Sequence, residues 1–350
     1  MSINLSTNYG GLTLKNPIVI GASNIVTDPA NLVKLEQAGA AAIVYKSLFE
    51  EQIELEALSL EEQLDAYKGW DAEHDSFFPK VKHAGPAEHL LRLREAKKLL
   101  SIPLIGSLNC THDETWVQFA QEMELTGIDA LELNFYTHPI DFETTSATIE
   151  SGQIDTLRRV RDAIKIPIFV KLSPYYSNTL RVIDRLGHAG TNGFVLFNRL
   201  FQPDIDVDRV EHFFPYNFSS ENDNRLALRY AGLLYKKTMG SIVANTGVLT
   251  GKDAIKMILA GADAVQVVSA VYKKGIHYIE TMLHEMEAWM RKHEYESLAA
   301  FKGKLSRENL ADPFAYRRAQ YVDILMKSEV FMQYHPKRGS LSDGHYDDLI

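Results

Sequence analysis

Cysteine is almost absent from these 350 residues: the lone Cys110 excludes an intrachain disulfide and any iron–sulfur cluster held by this chain alone. Positive charge is also scarce, with 37 Lys and Arg against 46 Asp and Glu, a formal charge of -9 and no basic tract. A nucleic-acid binder needs a cationic footprint to displace counterions, so that class is set aside. No apolar run approaches the roughly 20 residues that cross a bilayer, so no membrane attachment is expected. The opening Met1-Ser-Ile-Asn-Leu5 has neither a basic nor an apolar leader segment, and a cytoplasmic protein is expected. Metal-ligand spacings such as His-Glu-x-x-His are missing, as are a Walker loop and a Gly-x-Gly-x-x-Gly fingerprint, so no metal is expected.

What is present is a regular alternation. Eight short apolar runs, at 17–21, 41–45, 103–108, 130–134, 167–172, 193–197, 241–245 and 264–268, read as strands buried on both faces. Helical periodicity fills the intervals at 28–37, 114–124, 156–164, 179–189, 225–236 and 253–260. Gly39, Gly127, Gly190 and Gly261 stand where helices hand over to strands, a position that suits a left-handed residue. Eight such units with right-handed crossovers close most economically into an α/β fold of the (β/α)8 TIM-barrel type; an open doubly wound sheet is the alternative. The barrel is expected over 1–305, with a Gly10-Gly11 hairpin before the first strand. A long lid insertion at about 48–86 follows the second strand, a second excursion runs over 201–224, and 306–350 forms a C-terminal helical extension on the barrel or on a second subunit.

In a barrel the C-terminal strand ends converge on one pocket. Here they carry Ala22-Ser23, Lys46-Ser47, Asn109, Asn134, Lys171, Asn198-Arg199, Thr246-Gly247 and Val268-Ser269. Amides supply paired donors and acceptors and lysines neutralise charge, so the set suits a small planar anionic ligand. Lys171 ends the run Ile166-Pro-Ile-Phe-Val170 and is followed by Pro174, which places a cation at the mouth of a buried strand. The turns at 246–247 and 268–269 can present backbone N–H groups to a phosphate.

These residues, in this order, resemble the dihydroorotate dehydrogenase family over nearly the whole chain to about Leu305. The resemblance is carried by Asn16-Pro-Ile-Val-Ile-Gly-Ala-Ser23, Tyr45-Lys-Ser47, Leu131-Glu-Leu-Asn134, Val170-Lys-Leu-Ser-Pro174, Asn245-Thr-Gly-Val-Leu-Thr-Gly-Lys-Asp-Ala254, Ala260-Gly-Ala-Asp-Ala-Val-Gln266 and Tyr295-Glu-Ser-Leu-Ala-Ala-Phe-Lys-Gly-Lys-Leu305. It implies a barrel that holds FMN, a soluble homodimer, and an acceptor among fumarate, NAD through an electron-transfer partner protein, and quinone. By position it assigns Ala22, Ser23, Lys46, Ser47, Asn109, Asn134, Lys171 and Asn198 to the flavin or its substrate, and residues 246–247 and 268–269 to the phosphate. Lys171 then stabilises the negative charge of a reduced flavin.

Two family features are altered. The base motif Asn-Leu-Ser-(Cys or Ser)-Pro-Asn is replaced by Asn134-Phe-Tyr-Thr-His-Pro-Ile140, one residue longer between Asn and Pro. Counting from Asn134 puts Thr137 in the base position, and counting back from Pro139 puts His138 there; the imidazole is the better base. Cys110, after the third strand, is read as a small buried thiol. The family's substrate-gripping amides are replaced by Lys80, Ile140 and Arg199, which suits a more anionic ligand if both cations reach the pocket. The leading expectation is oxidation of dihydroorotate or a related CH–CH substrate in pyrimidine biosynthesis. The alternatives are a flavin-binding protein with lost or altered activity, and a flavin-free barrel that forms a Schiff base on Lys171.

Overall fold

A computed structural model of the chain describes residues 3–51, 53, 86–110, 113–137, 139, 141–199, 203–213, 218–312 and 316–317. Eight parallel strands close on themselves: β1 (Ile18–Ile20), β2 (Ala42–Val44), β3 (Leu104–Asn109), β4 (Ala130–Phe135), β5 (Ile168–Leu172), β6 (Gly193–Leu196), β7 (Ser241–Ala244) and β8 (Ala264–Val267). Each pairs with its successor, and β8 pairs with β1 through Val265↔Ile18, which completes the ring. The architecture is the expected (β/α)8 barrel. A two-residue strand, Leu48–Phe49, continues beside the upper end of β3.

Strand parity divides the core in two. Ile18, Ile20, Ile43, Leu131, Leu133, Val170 and Val265 face the helices, while Val19, Val44, Ile105, Ala130, Phe169, Val195 and Val243 fill the barrel. Continuing the inward parity upward gives Ser107 and Asn109 on β3, Glu132 and Asn134 on β4, Lys171 on β5 and Gln266 on β8, all buried. The barrel is therefore apolar below and polar above. Its lower end is closed by the hairpin Thr7–Tyr9 and Leu12–Leu14, in which Gly10 and Gly11 both take positive φ. Tyr9 stacks on Phe169 with ring centroids 3.8 Å apart, and a side chain at Gly10 would meet that same ring.

The outer layer contains α1 (Pro29–Gln37), α2 (Ala87–Leu99), α3 (Asp113–Glu124), α4 (Ser146–Ala163), α5 (Thr179–Ala189), α6 (Asn224–Leu234), α7 (Gly251–Ala260), α8 (Ser269–Lys274) and α9 (Tyr278–Lys292). The expected C-terminal glycines, Gly39, Gly127, Gly190 and Gly261, all have positive φ. Four helices differ from the sequence expectation, among them the short α8, which lies outside the expected helices. The helix read at 156–164 begins at Ser146, capped by the Thr145 hydroxyl on the Thr148 N–H; its first turns hold Gly152 and several small polar residues, which weaken the periodic signal. Helix α2 buries only Leu93 and Ala96 on an otherwise charged cylinder, too narrow a stripe for a periodicity reading. Helix α9 follows the last barrel strand and packs on α7.

The 201–224 excursion contains an antiparallel hairpin, Asp204–Asp206 with Glu211–Phe213. Nearly all of the expected lid lies outside the described residues, as does the extension beyond Arg317. The described start of that extension packs on α6: Arg307 N–H donates to the Gly232 carbonyl at 3.0 Å, and Arg229 donates to the Tyr316 carbonyl at 3.0 Å. Among the described residues, no helix is long and apolar enough to cross a membrane.

Candidate active site

The polar upper end of the barrel opens into a cavity of about 470 Å3, within the size range of small-molecule and cofactor sites. Ala22, Ser23, Lys46, Ser47, Asn109, Asn134, Lys171, Asn198, Arg199, Thr246, Gly247, Val268 and Ser269 all line it, so thirteen residues from eight strand ends meet in one space. Thr137 does not. Its hydroxyl accepts from Gln153 Nε2 at 3.2 Å and borders a second, smaller cavity with Cys110, Trp116 and Tyr136. His138 and Lys80 lie outside the described residues.

The wall from β2 to β4 is a hydrogen-bonded cluster. The Ser47 and Ser107 hydroxyls are 2.7 Å apart, and Asn134 Nδ2 donates to Ser107 Oγ at 2.8 Å. Because the amide nitrogen is engaged, the Asn134 Oδ1 is left as an acceptor for a ligand. At the cavity floor the Lys171 Nζ lies 3.4 Å from Glu132 Oε1 and 3.4 Å from Gln266 Oε1. Arg199 pairs with Asp223 at 2.5 Å. Burial works to raise the Asp223 carboxyl, but bonds from the Ser220 backbone and from Arg199 bring it below the usual carboxylate range. Of the three cations lining the cavity, two therefore carry a counter-ion. Lys46 forms no ion pair among the described residues, which makes it the cation best placed for an anionic ligand.

The opposite wall is made of turns. Thr246 and Gly247 both have φ of 73°, the left-handed region, and Thr246 Oγ1 and Asn245 Nδ2 donate to the Phe197 carbonyl at 3.0 and 2.9 Å. Asn224 Nδ2 donates to the Gly247 carbonyl at 3.1 Å. Ser219 donates through its N–H and its hydroxyl to Ser269 Oγ, at 3.0 and 2.8 Å. The first turn of α7 is already committed elsewhere: Thr250 and Asp253 form a capping box, and Gly251 N–H donates to Glu285 at 2.7 Å. Any phosphate is thus left to the 246–247 and 268–269 turns, not to the α7 N-terminus.

One buried atom asks for a ligand. Ser23 Oγ is shielded from solvent and has no protein partner, although it stands at the cap of the 3-10 turn Asn24–Thr27. An unpaired buried hydroxyl costs free energy unless something else satisfies it. A planar heterocycle with ring nitrogens and carbonyls, such as FMN, would do so, and the donor set around the cavity fits that group. Cys110 is poorly suited to chemistry here: burial first, then the Glu50 and Glu51 charges, push its thiol up. No cluster of metal ligands occurs among the described residues.

Sequence reasoning passed over Tyr136 and Gln266, which also line the cavity, and Glu132 beneath it. The period of two was the available signal, since Glu132 and Gln266 each precede an assigned inward residue by two positions.

The dihydroorotate dehydrogenase family model matches residues 83–290. The catalytic subunit of dihydroorotate dehydrogenase B (NAD(+)) from Thermoplasma volcanium is 27% identical over 309 residues, covering 85% of this chain and 97% of that one. The corresponding subunit from Methanocaldococcus jannaschii is 24% identical over 294 residues, covering 82% and 94%. Dihydroorotate dehydrogenase A (fumarate) from Lactobacillus delbrueckii subsp. bulgaricus is 26% identical over 209 residues, covering 57% and 67%.

Proposed function

This chain belongs to the dihydroorotate dehydrogenase family, and we propose that it is an FMN-dependent oxidoreductase that converts dihydroorotate, or a related planar acid with a CH–CH bond, to its unsaturated product in pyrimidine biosynthesis. The observation that carries this reading is the buried Lys171 ammonium at the floor of a cavity whose Ser23 hydroxyl has no protein partner. When bound, FMN supplies the hydride acceptor. Ser23, Ser47, Asn134 and Asn198 would hold it by hydrogen bonds, and the turns at 246–247 and 268–269 would take its phosphate. Lys171 provides a fixed positive charge to negative charge developing in the cavity, in a place from which water is largely excluded.

Lys46 binds the substrate carboxylate in this reading, because Arg199 already serves Asp223. Removal of the substrate proton is assigned to His138 on its chemistry, since a neutral imidazole accepts protons near pH 7 and the Thr137 hydroxyl is engaged outside the cavity. A homodimer reoxidised by fumarate, by NAD through a partner protein, or by quinone completes the proposal.

The test is the visible spectrum of the purified protein followed by anaerobic titration with dihydroorotate. A flavin band near about 450 nm that bleaches supports the proposal, and an acceptor panel then separates the three routes of reoxidation. A second reading, a flavin-binding protein with altered activity, is favoured by the Arg199–Asp223 pair and by the placement of Thr137. A flavin band that dihydroorotate does not bleach selects it. A colourless protein that takes up no FMN overturns both.

A further inference from the structure

Glu132 is an acid in an unusual place. It is fully buried inside the barrel, between its register partners Ser107 on β3 and Phe169 on β5. An isolated carboxylate there would cost several kcal/mol, so it must be paired and hydrogen-bonded. Both conditions are met. Glu132 Oε2 accepts from Gln266 Nε2 at 2.5 Å, Oε1 faces Lys171 Nζ at 3.4 Å, and Gln266 Oε1 faces the same ammonium at 3.4 Å. The three side chains, from β4, β5 and β8, close a triangle in which each touches the other two.

The surroundings make this pair the main charge beneath the cavity. Phe169 pairs with Glu132 in the β4–β5 register, and Tyr9 stacks on Phe169 from below. Burial, then the Glu132 charge, keep the Tyr9 phenol protonated. Asn134 is neutral, and the remaining cations, Lys46 and Arg199, lie on the cavity wall, the latter matched by Asp223.

We propose that Glu132 is a positioning residue that acts on the bound flavin through Lys171: it fixes where the ammonium stands and offsets its charge, so the cofactor meets a balanced ion pair instead of a bare cation. This deepens the FMN reading and rests on it. A cation beside a flavin favours the reduced, anionic form. The carboxylate moderates that preference and keeps the flavin reoxidisable.

The experiment is a comparison of the midpoint potential of bound FMN in the wild type, E132Q and E132D. E132Q preserves shape and an acceptor for Lys171 while removing the charge. It is expected to raise the preference for reduced over oxidised FMN by about tenfold, an upward shift of about 30 mV for a two-electron couple. E132D keeps the charge one methylene further back and should fall between the two; it carries the test alone if E132Q does not fold. A merely structural role would lower thermal stability and FMN content in both variants but leave the potential in place. A coloured wild type with variant potentials that do not move, or move down, overturns this proposal only. A wild type that binds no FMN overturns the flavin reading and the proposal with it.

Discussion

The two walls of the cavity are built on different principles. On the β7–β8 side, recognition is by backbone: Thr246, Gly247, Val268 and Ser269 sit in turns fixed by the Phe197 carbonyl, Ser219 and Asn224. On the β2–β4 side, it is by side chains: Ser47, Ser107 and Asn134 hold one another, and Lys46 has no counter-ion among the described residues. Behind this wall, the Nε2 of His89, packed on Tyr45, is buried without a hydrogen bond. A wall made of backbone turns tolerates sequence change and grips a group common to all members of a family. A wall made of side chains is where a change of substrate is written, and the altered stretch 134–140 runs on in the sequence from β4 of that wall.

The largest expected effect breaks the first wall. A Cβ at Gly247 would stand 2.5 Å from the Asn224 backbone N and 2.9 Å from the Ser220 carbonyl, and the residue holds φ of 73°. Neither neighbour is a flexible side chain, so the turn itself must move. Left-handed strain and overpacking together put the cost of Gly247→Ala on the order of 4 kcal/mol. Thermal unfolding and FMN affinity should both fall, the latter by at least tenfold. Unchanged FMN affinity would show that the turn does not hold the cofactor.

A smaller and pH-dependent effect belongs to the second wall. His89 lies edge-on to Tyr45 at 5.5 Å, and burial first, then the charges of Lys46 and Arg92, lower its pKa from 6.5 to about 4. The folded state thus binds this proton more weakly than the unfolded chain does. The stabilising contribution is complete above pH 6.5 and is lost as pH falls towards 4, reaching on the order of 3 kcal/mol at the acid end. Denaturant titrations between pH 7.5 and about 4 should show His89→Leu losing less stability than the wild type over that window. Parallel curves would mean that folding leaves the proton affinity of this imidazole where it stands in the unfolded chain.

The contrast between the walls also explains what could be read in advance. The barrel was legible because each buried strand announces itself as an apolar run and four helix ends as glycines, Gly39, Gly127, Gly190 and Gly261. The turns at 246–247 and 268–269 were legible because they follow strand ends directly, and strand ends converge. Lys171 was legible for the same reason, but its partners were not: Glu132 stands on the neighbouring β4, whereas Gln266 comes from β8 across the barrel, and only closure of the ring brings it to 3.4 Å. Thr137 borders the second cavity because its hydroxyl meets Gln153 on α4, a contact that counting along the loop cannot show. Arg199 was correctly placed at the rim, but its ion pair with Asp223, 24 positions later, depends on how the 201–224 excursion returns.

The smallest expected effect tests the placement of Thr137 directly. Thr137→Val keeps the shape of the side chain and removes its hydroxyl. The hydroxyl accepts one bond from Gln153, whose Oε1 also receives the Tyr176 hydroxyl at 2.7 Å, so this amide remains held after the substitution. Loss of this one part-buried hydrogen bond costs about 1 kcal/mol. Flavin reduction should therefore stay within about threefold of the wild type, because the group lies against the second cavity and not the first. A general base contributes about 10²- to 10⁴-fold, so a Thr137 that takes the substrate proton would show a loss at least thirtyfold larger than the one expected here. Single-turnover reduction at several pH values separates the two outcomes, since removal of the true base also erases the pH dependence of the reductive step. The side-chain wall would then have to be redrawn with Thr137 inside it.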